Sequence, residues 1–293
     1  MFRGCFTALV TPFKGGKVDE DAFRGLIEFQ IENGVDGIVP CGTTGESATL
    51  THDEHNRVVD IAVEAAGGRV KVIAGAGSNS TGETVRLTRH AKEAGADAAL
   101  LITPYYNKPT QAGLYEHYSK VAAEVDIPII LYNVPGRTGV NMTPETTGKL
   151  SAIDNIVGIK DATGDIAQVT EVIERSVEGF EIISGDDFIT MPMLAIGAEG
   201  VISVTSNIMP REVSDMCRLF FEGNLEASRE LHYRLQGMHR AMFIETSPIP
   251  AKTALSIMGL MEEEFRLPLL ALSDSNRVEL EKTLTTYGLA GAR

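Results

Sequence analysis

One pattern recurs along most of the chain. A short apolar or β-branched run gives way to a turn rich in Gly, Thr, Pro or Asn, and then to a longer segment with apolar residues at helical spacing. The runs predict strands at 5–10, 37–40, 70–74, 98–102, 128–132, 156–160, 180–184 and 200–204. Helices are predicted between them, for example at 19–33 closed by Gly34, at 51–66 closed by Gly67 and at 81–94 closed by Gly95. Thr51 with Glu54 three residues later is a capping-box signature, and the glycines supply the positive φ that ends a helix. Repeats of roughly 20 to 35 residues suit βα units with right-handed crossovers, and eight in series close most simply into a (β/α)8 TIM barrel.

From about residue 210 only the helical period continues, through Leu219, Phe220, Leu231, Leu235, Met238, Leu255, Met258, Leu280 and Leu284. The chain therefore reads as a catalytic barrel over 1–223 and a C-terminal helical domain over 224–293. No Gly/Ser/Pro-rich linker separates them, so the second should pack on the first. A doubly wound sheet is the rival, because Gly75-Ala76-Gly77 follows a strand and resembles half of a dinucleotide fingerprint. Ser80 stands where its third glycine belongs and there is no phosphate-loop GxxxxGK, so no nucleotide cofactor is expected.

Composition narrows the function classes. With 26 Lys+Arg against 40 Asp+Glu, a net charge of −14 disfavours nucleic acid and anionic membranes as partners. No apolar run reaches the roughly 20 residues that span a bilayer. The apolar stretch at 4–10 is followed by Lys14, Lys17 and Asp19 where a secretory signal would show small-residue cleavage chemistry, and it reads as a strand. Cys5, Cys41 and Cys217 form no CxxC spacing, which argues against a disulfide framework or a zinc site and fits a cytoplasmic location. His52 and His55 fall in His52-Asp53-Glu54-His55, which is not HExxH and has no evident third ligand. A solvated helix start is the simpler reading, and no metal is expected.

A barrel of this kind carries its chemistry at the C-terminal ends of its strands. Lys160 ends the apolar run Ile156-Val157-Gly158-Ile159, whereas Lys71 begins its strand and Lys252 lies in the helical tail. A lysine desolvated by apolar neighbours is held partly neutral and can attack a carbonyl, so Lys160 is the Schiff-base candidate. A structural lysine paired with Asp161 or another carboxylate remains the alternative. The second strand ends in Gly42-Thr43-Thr44-Gly45-Glu46-Ser47, whose N–H groups and hydroxyls could cradle the carboxylate of a small keto acid. The fourth ends in Thr103-Pro104-Tyr105-Tyr106-Asn107 and the fifth in Tyr132-Asn133-Val134-Pro135-Gly136-Arg137. They offer proton donors and a guanidinium fork, although tyrosines at strand ends also serve as packing residues.

The runs Gly42-Thr43-Thr44-Gly45-Glu46-Ser47-Ala48-Thr49-Leu50, Tyr105-Tyr106-Asn107-Lys108-Pro109, Tyr132-Asn133-Val134-Pro135-Gly136-Arg137-Thr138-Gly139 and Gly158-Ile159-Lys160-Asp161-Ala162-Thr163-Gly164 resemble the dihydrodipicolinate synthase family. The resemblance covers essentially the whole chain. Lys160 and the Gly-Thr-Thr-Gly-Glu run are shared with N-acetylneuraminate lyase and other pyruvate-dependent aldolases; Arg137 and Tyr-Tyr-Asn-Lys-Pro favour the synthase. The resemblance implies that Lys160 condenses with pyruvate and that the enamine attacks L-aspartate-4-semialdehyde on the route to lysine. It implies a proton relay of Thr44, Tyr132 and Tyr106, the last from a neighbouring subunit of a homotetramer built as two tight dimers. Thr43 and Thr44 would hold the pyruvate carboxylate, Arg137 the semialdehyde carboxylate, and Gly185 and Ile202 would line the site by their backbones. In lysine-inhibited members the residues matching Ser47, Ala48, His52, His55, Asn79, Glu83 and Tyr105 bind L-lysine as an allosteric inhibitor. Adjacent residues of an extended segment point oppositely, so Tyr105 and Tyr106 should face different pockets. Two other readings remain: another pyruvate-dependent aldolase, and a non-catalytic ligand-binding barrel.

Overall fold

The computed structural model describes residues 1–290. Its strands are β1 (Gly4–Ala8), β2 (Phe13–Lys14), β3 (Lys17–Val18), β4 (Gly37–Val39), β5 (Lys71–Gly75), β6 (Ala98–Ile102), β7 (Ile129–Asn133), β8 (Ile156–Asp161), β9 (Glu181–Ser184) and β10 (Gly200–Ser203). All but β2 and β3 form one closed parallel barrel, in sequence order, with β10 pairing back onto β1. The eight predicted strands are thus present, with ends displaced by at most two residues. The antiparallel hairpin β2–β3, turning on Gly15 and Gly16 at φ 59° and 80°, is an addition that two-residue strands are too short to announce by period.

Helices α1 (Glu20–Glu32), α2 (His52–Ala66), α3 (Thr81–Ala94), α4 (Gln111–Glu124), α5 (Pro135–Thr138), α6 (Pro144–Ser151), α7 (Ile166–Arg175), α8 (Thr190–Ala195) and α9 (Pro210–Phe221) follow the barrel strands. Capping chemistry sets their ends as expected. Asp19 caps α1, Thr51 and Glu54 form a reciprocal capping box on α2, and Gly67 and Gly95 close α2 and α3 in the left-handed conformation. Beyond the barrel, α10 (Leu225–Met242) packs on α9, and α11 (Ile249–Ile257) and α12 (Asp274–Thr286) pack on each other and on α10. Among the described residues no helix is long and apolar enough to cross a membrane.

The period-2 alternation of the strands divides the core into two layers. On β6, Ala98 and Leu100 join the cluster inside the barrel while Ala99 and Leu101 join the one between strands and helices. On β7, Ile130 and Tyr132 point inward, and Ile129 and Leu131 outward. The ladder to β8 pairs Ile130 with Gly158 and Tyr132 with Lys160. Lys160 is thereby delivered to the inside near the strand's C-terminal end, and its neighbour Asp161 must face the helices. Phe2 and Phe6, edge to face at 6.1 Å, fill the inner core.

Candidate active site

Lys160 is 6% exposed and, among the described residues, forms no ion pair with Asp161 or another carboxylate. The Asp161 carboxylate instead accepts bonds from the Thr163 amide (2.9 Å) and hydroxyl (2.6 Å) on the far side of the strand. The structural-pair alternative therefore does not hold. The Lys160 Nζ sits 4.3 Å from the centroid of the Tyr132 ring. Burial pulls its amine down to about 8; the Asp187 carboxylate opposes that shift and the Arg137 charge adds to it. The other two lysines weighed from sequence have different fates. Lys71 is solvent-facing and pairs with Asp97 at 2.6 Å. Lys252, passed over as part of the helical tail, is fully buried against Glu46.

A chamber of about 280 Å³ surrounds Lys160 and is lined by Thr43, Thr44, Tyr132, Arg137 and Gly185, among others. Glycine is required at 185 because a Cβ there would lie 2.9 Å from the Lys160 Cε and 3.0 Å from the Asp161 carbonyl. The side chain of Ile202 belongs to the inner core, with the residue 1% exposed. Its inward-facing side chain completes the packed layer in which Phe6 and Ile183 also lie.

Tyr132 is buried, which pushes its hydroxyl up to about 12, an effect the Arg137 charge and the nearby Thr43 hydroxyl reduce. Thr43 lines the chamber beside Tyr132. Thr44, 5% exposed, lines the same chamber. Arg137 sits at the rim, donating to the Ser247 carbonyl at 3.5 Å. Tyr106 is 89% exposed and lines neither cavity of its own subunit. Its φ of +69° turns the chain sharply after Tyr105, so the divergence of the two tyrosines comes from a left-handed residue and not from an extended segment.

A second cavity of about 420 Å³ adjoins the first, and the two share Gly42, Thr43, Leu100, Tyr132, Arg137 and Ser247. Ser47, Ala48, His52, His55, Glu83 and Tyr105 line it. Asn79 does not, though its carbonyl accepts from Asn107 Nδ2 at 2.8 Å. The Glu83 carboxylate accepts from the Ser78 hydroxyl and lies 3.3 Å from His52 Nε2. His55 Nε2 is 2.9 Å from the Gly75 carbonyl, and its Nδ1 is buried with no partner. Burial pulls His55 down to about 4, so the ring is neutral at physiological pH, and with Nε2–H on the carbonyl Nδ1 offers a lone pair.

Two features escaped the sequence reading. Asp187 is buried behind the chamber, accepting from Ser203 Oγ (2.5 Å) and the amides of Val204 (2.9 Å) and Thr205 (3.1 Å). The second Asp of Gly185-Asp186-Asp187 was the only available signal. The other is the Glu46–Lys252 pair, whose members are 206 residues apart.

The profile of the dihydrodipicolinate synthetase family matches residues 1–287. A 4-hydroxy-tetrahydrodipicolinate synthase of Nitratidesulfovibrio vulgaris is 57% identical over 98% of this chain and 99% of its own length. The crystal structure of dihydrodipicolinate synthase from Aquifex aeolicus superposes with a TM-score of 0.98 at 52% identity, covering 100% of both chains. The chloride-inhibited Acinetobacter baumannii enzyme complexed with pyruvate gives 0.96 at 44% identity over 99% of this chain and 100% of that one. The Cyanidioschyzon merolae enzyme with lysine bound gives 0.95 at 41% identity over 98% of this chain and 99% of that one.

Proposed function

The chain belongs to the dihydrodipicolinate synthetase family, and from that membership we propose how its own residues carry the chemistry. It is an enzyme, a lyase with 4-hydroxy-tetrahydrodipicolinate synthase activity in lysine biosynthesis. The neutral Lys160 amine attacks the ketone carbon of pyruvate; loss of water leaves an iminium, and loss of a methyl proton gives the enamine. The enamine carbon bonds to the aldehyde carbon of L-aspartate-4-semialdehyde, whose oxygen takes a proton. The substrate's own amine then attacks the iminium carbon, closing the ring and releasing Lys160.

The observation that carries this reading is the buried, unpaired Lys160 amine, pulled down to about 8 on the barrel wall beside Tyr132. Tyr132 stays protonated at neutral pH and can give a proton only if a partner returns one. Thr44 lines the same chamber, and the exposed Tyr106 is suited to complete a relay of Thr44, Tyr132 and Tyr106 from a second copy of the chain. That supports an obligate oligomer, a homotetramer by family habit. The Thr43-Thr44 turn receives the pyruvate carboxylate and Arg137, at the rim, that of the semialdehyde. Arg137 favours this substrate over the keto-sugars of other aldolases. Cys5, Cys41 and Cys217, buried and unpaired, support a reducing cytoplasm. Borohydride reduction with pyruvate should add the mass of the reduced adduct at Lys160. No adduct on any residue would refute the reading.

L-lysine is the proposed inhibitor at the larger cavity. Glu83 suits its α-ammonium, Tyr105 its carboxylate, and the His55 lone pair with nearby carbonyls its ε-ammonium. A lysine-bound relative supports this assignment. Unchanged activity at millimolar lysine would contradict it.

A further inference from the structure

The turn that bears Thr43 and Thr44 is held in an unfavourable shape. Cys41 and Glu46, which bracket it, both adopt left-handed backbone conformations at φ 55° and 52°, a region that side chains other than Gly avoid. Its internal bonds, Gly45 N to Gly42 O and Glu46 N to Thr43 O at 3.1 Å each, close the turn but do not orient it in the barrel mouth. Orientation comes from outside. The Glu46 side chain is 1% exposed, and its Oε1 accepts from the wholly buried Lys252 Nζ at 2.5 Å. Lys252 lies over the Phe13 ring at 4.2 Å and within 5.2 Å of Phe265, while the amide of Arg266 is 3.5 Å from Glu46 Oε2.

Lys252 stands on α11, directly after the Thr246-Ser247-Pro248 segment that walls the cavity and whose Ser247 carbonyl receives the Arg137 guanidinium. One ion pair therefore ties the threonine turn to the same C-terminal segment that steadies Arg137. Burying two charges is costly, and an apolar pair of similar volume would hold the fold at least as well. The exception lies in directionality: an ion pair fixes a position as apolar contact does not.

We propose that Glu46 and Lys252 are positioning residues that set the Thr43-Thr44 turn in register with Arg137, and so fix the separation of the two carboxylate-binding ends of the chamber. The inference rests on the substrate assignment above. Its test is the double variant E46Q/K252M, which removes both charges at once and so leaves no orphaned buried ion. In borohydride trapping the double variant should still label Lys160 fully at saturating pyruvate. Half-saturating pyruvate should rise about tenfold or more, with a matching rise in KM for the semialdehyde, because small misplacements of binding groups cost one to two orders of magnitude. Partial unfolding would lower the labelled fraction and leave half-saturation in place. E46Q alone, which keeps volume and an acceptor for Lys252, should raise half-saturation several-fold and covers the case in which the double variant does not fold. Amide exchange at residues 42–47 without substrate should accelerate about tenfold in either variant, as expected for a turn that loses its anchor. A folded variant with wild-type half-saturation and wild-type exchange would overturn the proposal. A wild-type protein that takes no label would refute the Schiff-base assignment instead, and the exchange readout would still decide the clamp.

Discussion

Lys160 and Tyr132 are direct partners across the β7–β8 ladder, with the lysine amine 4.3 Å from the tyrosine ring centroid. Two strands that would otherwise pair apolar residues here place an amine against an aromatic face, with no carboxylate of the described residues in salt-bridge contact. The aromatic face steadies the ammonium, and the surrounding apolar walls favour the free amine.

The free-amine fraction should set the pH dependence of adduct formation. With Lys160 at about 8, the trapping rate with pyruvate should rise tenfold per pH unit below that value and flatten above it. K160R, which keeps the charge and removes the nucleophile, should take no label and lose at least about 10³ in kcat. K160M should stabilise the fold by up to about 3 kcal/mol below pH 8, since a buried ammonium no longer has to be accommodated. That gain should shrink as pH rises from about 8 toward 10.5: there the unfolded wild-type lysine still holds a proton that the folded one has released, so wild-type stability climbs. Thermal denaturation across pH measures it, and a gain that grows with pH would contradict the assignment.

Thr43 and Thr44 should separate in kinetics. Removing the proposed relay hydroxyl in T44V should lower kcat by roughly 10² with T44S restoring most of it, as for a proton-transfer partner. T43V should act chiefly on KM for pyruvate. The reverse pattern would move the relay role to Thr43 and overturn the assignment of Thr44.

Gly185 leaves room for Lys160. In G185A the new methyl would meet the Lys160 Cε at 2.9 Å and the Asp161 carbonyl at 3.0 Å, so the lysine or the strand must shift. Adduct formation should slow by about 10² while the far-UV spectrum stays unchanged, the cost of about 1 Å of misplacement. Wild-type trapping in G185A would show that the side chain relaxes freely.

Arg266 holds both oxygens of Glu54 at 2.6 and 2.8 Å, and Glu54 also completes the capping box of α2. These bonds bring Glu54 down to about 2. Its contribution should be full above about 4.5 and be lost as pH falls through about 2, since protonation ends both roles. R266K should cost about 1 to 2 kcal/mol at pH 7, discounted for a carboxylate that is 26% exposed, and should flatten acid unfolding in that window. Urea titrations at pH 7 and pH 3 check both.

The regularity of this molecule is local and therefore legible in the chain. Period-2 runs, helical stripes, Thr51 with Glu54, and the glycines at 34, 67 and 95 each act over a few residues, and they specify eight βα units and their order. The same locality places Lys160, because a lysine at the end of an apolar strand has one destination in such a barrel. Sequence alone could not reveal that Asp187 is buried behind the chamber or that Lys252, set aside with the helical tail, anchors Glu46 across 206 residues. Those outcomes depend on which side chains meet once the barrel closes and the C-terminal helices fold over its mouth. Burial and long-range pairing belong to the closed tertiary structure, and no short window of sequence carries them.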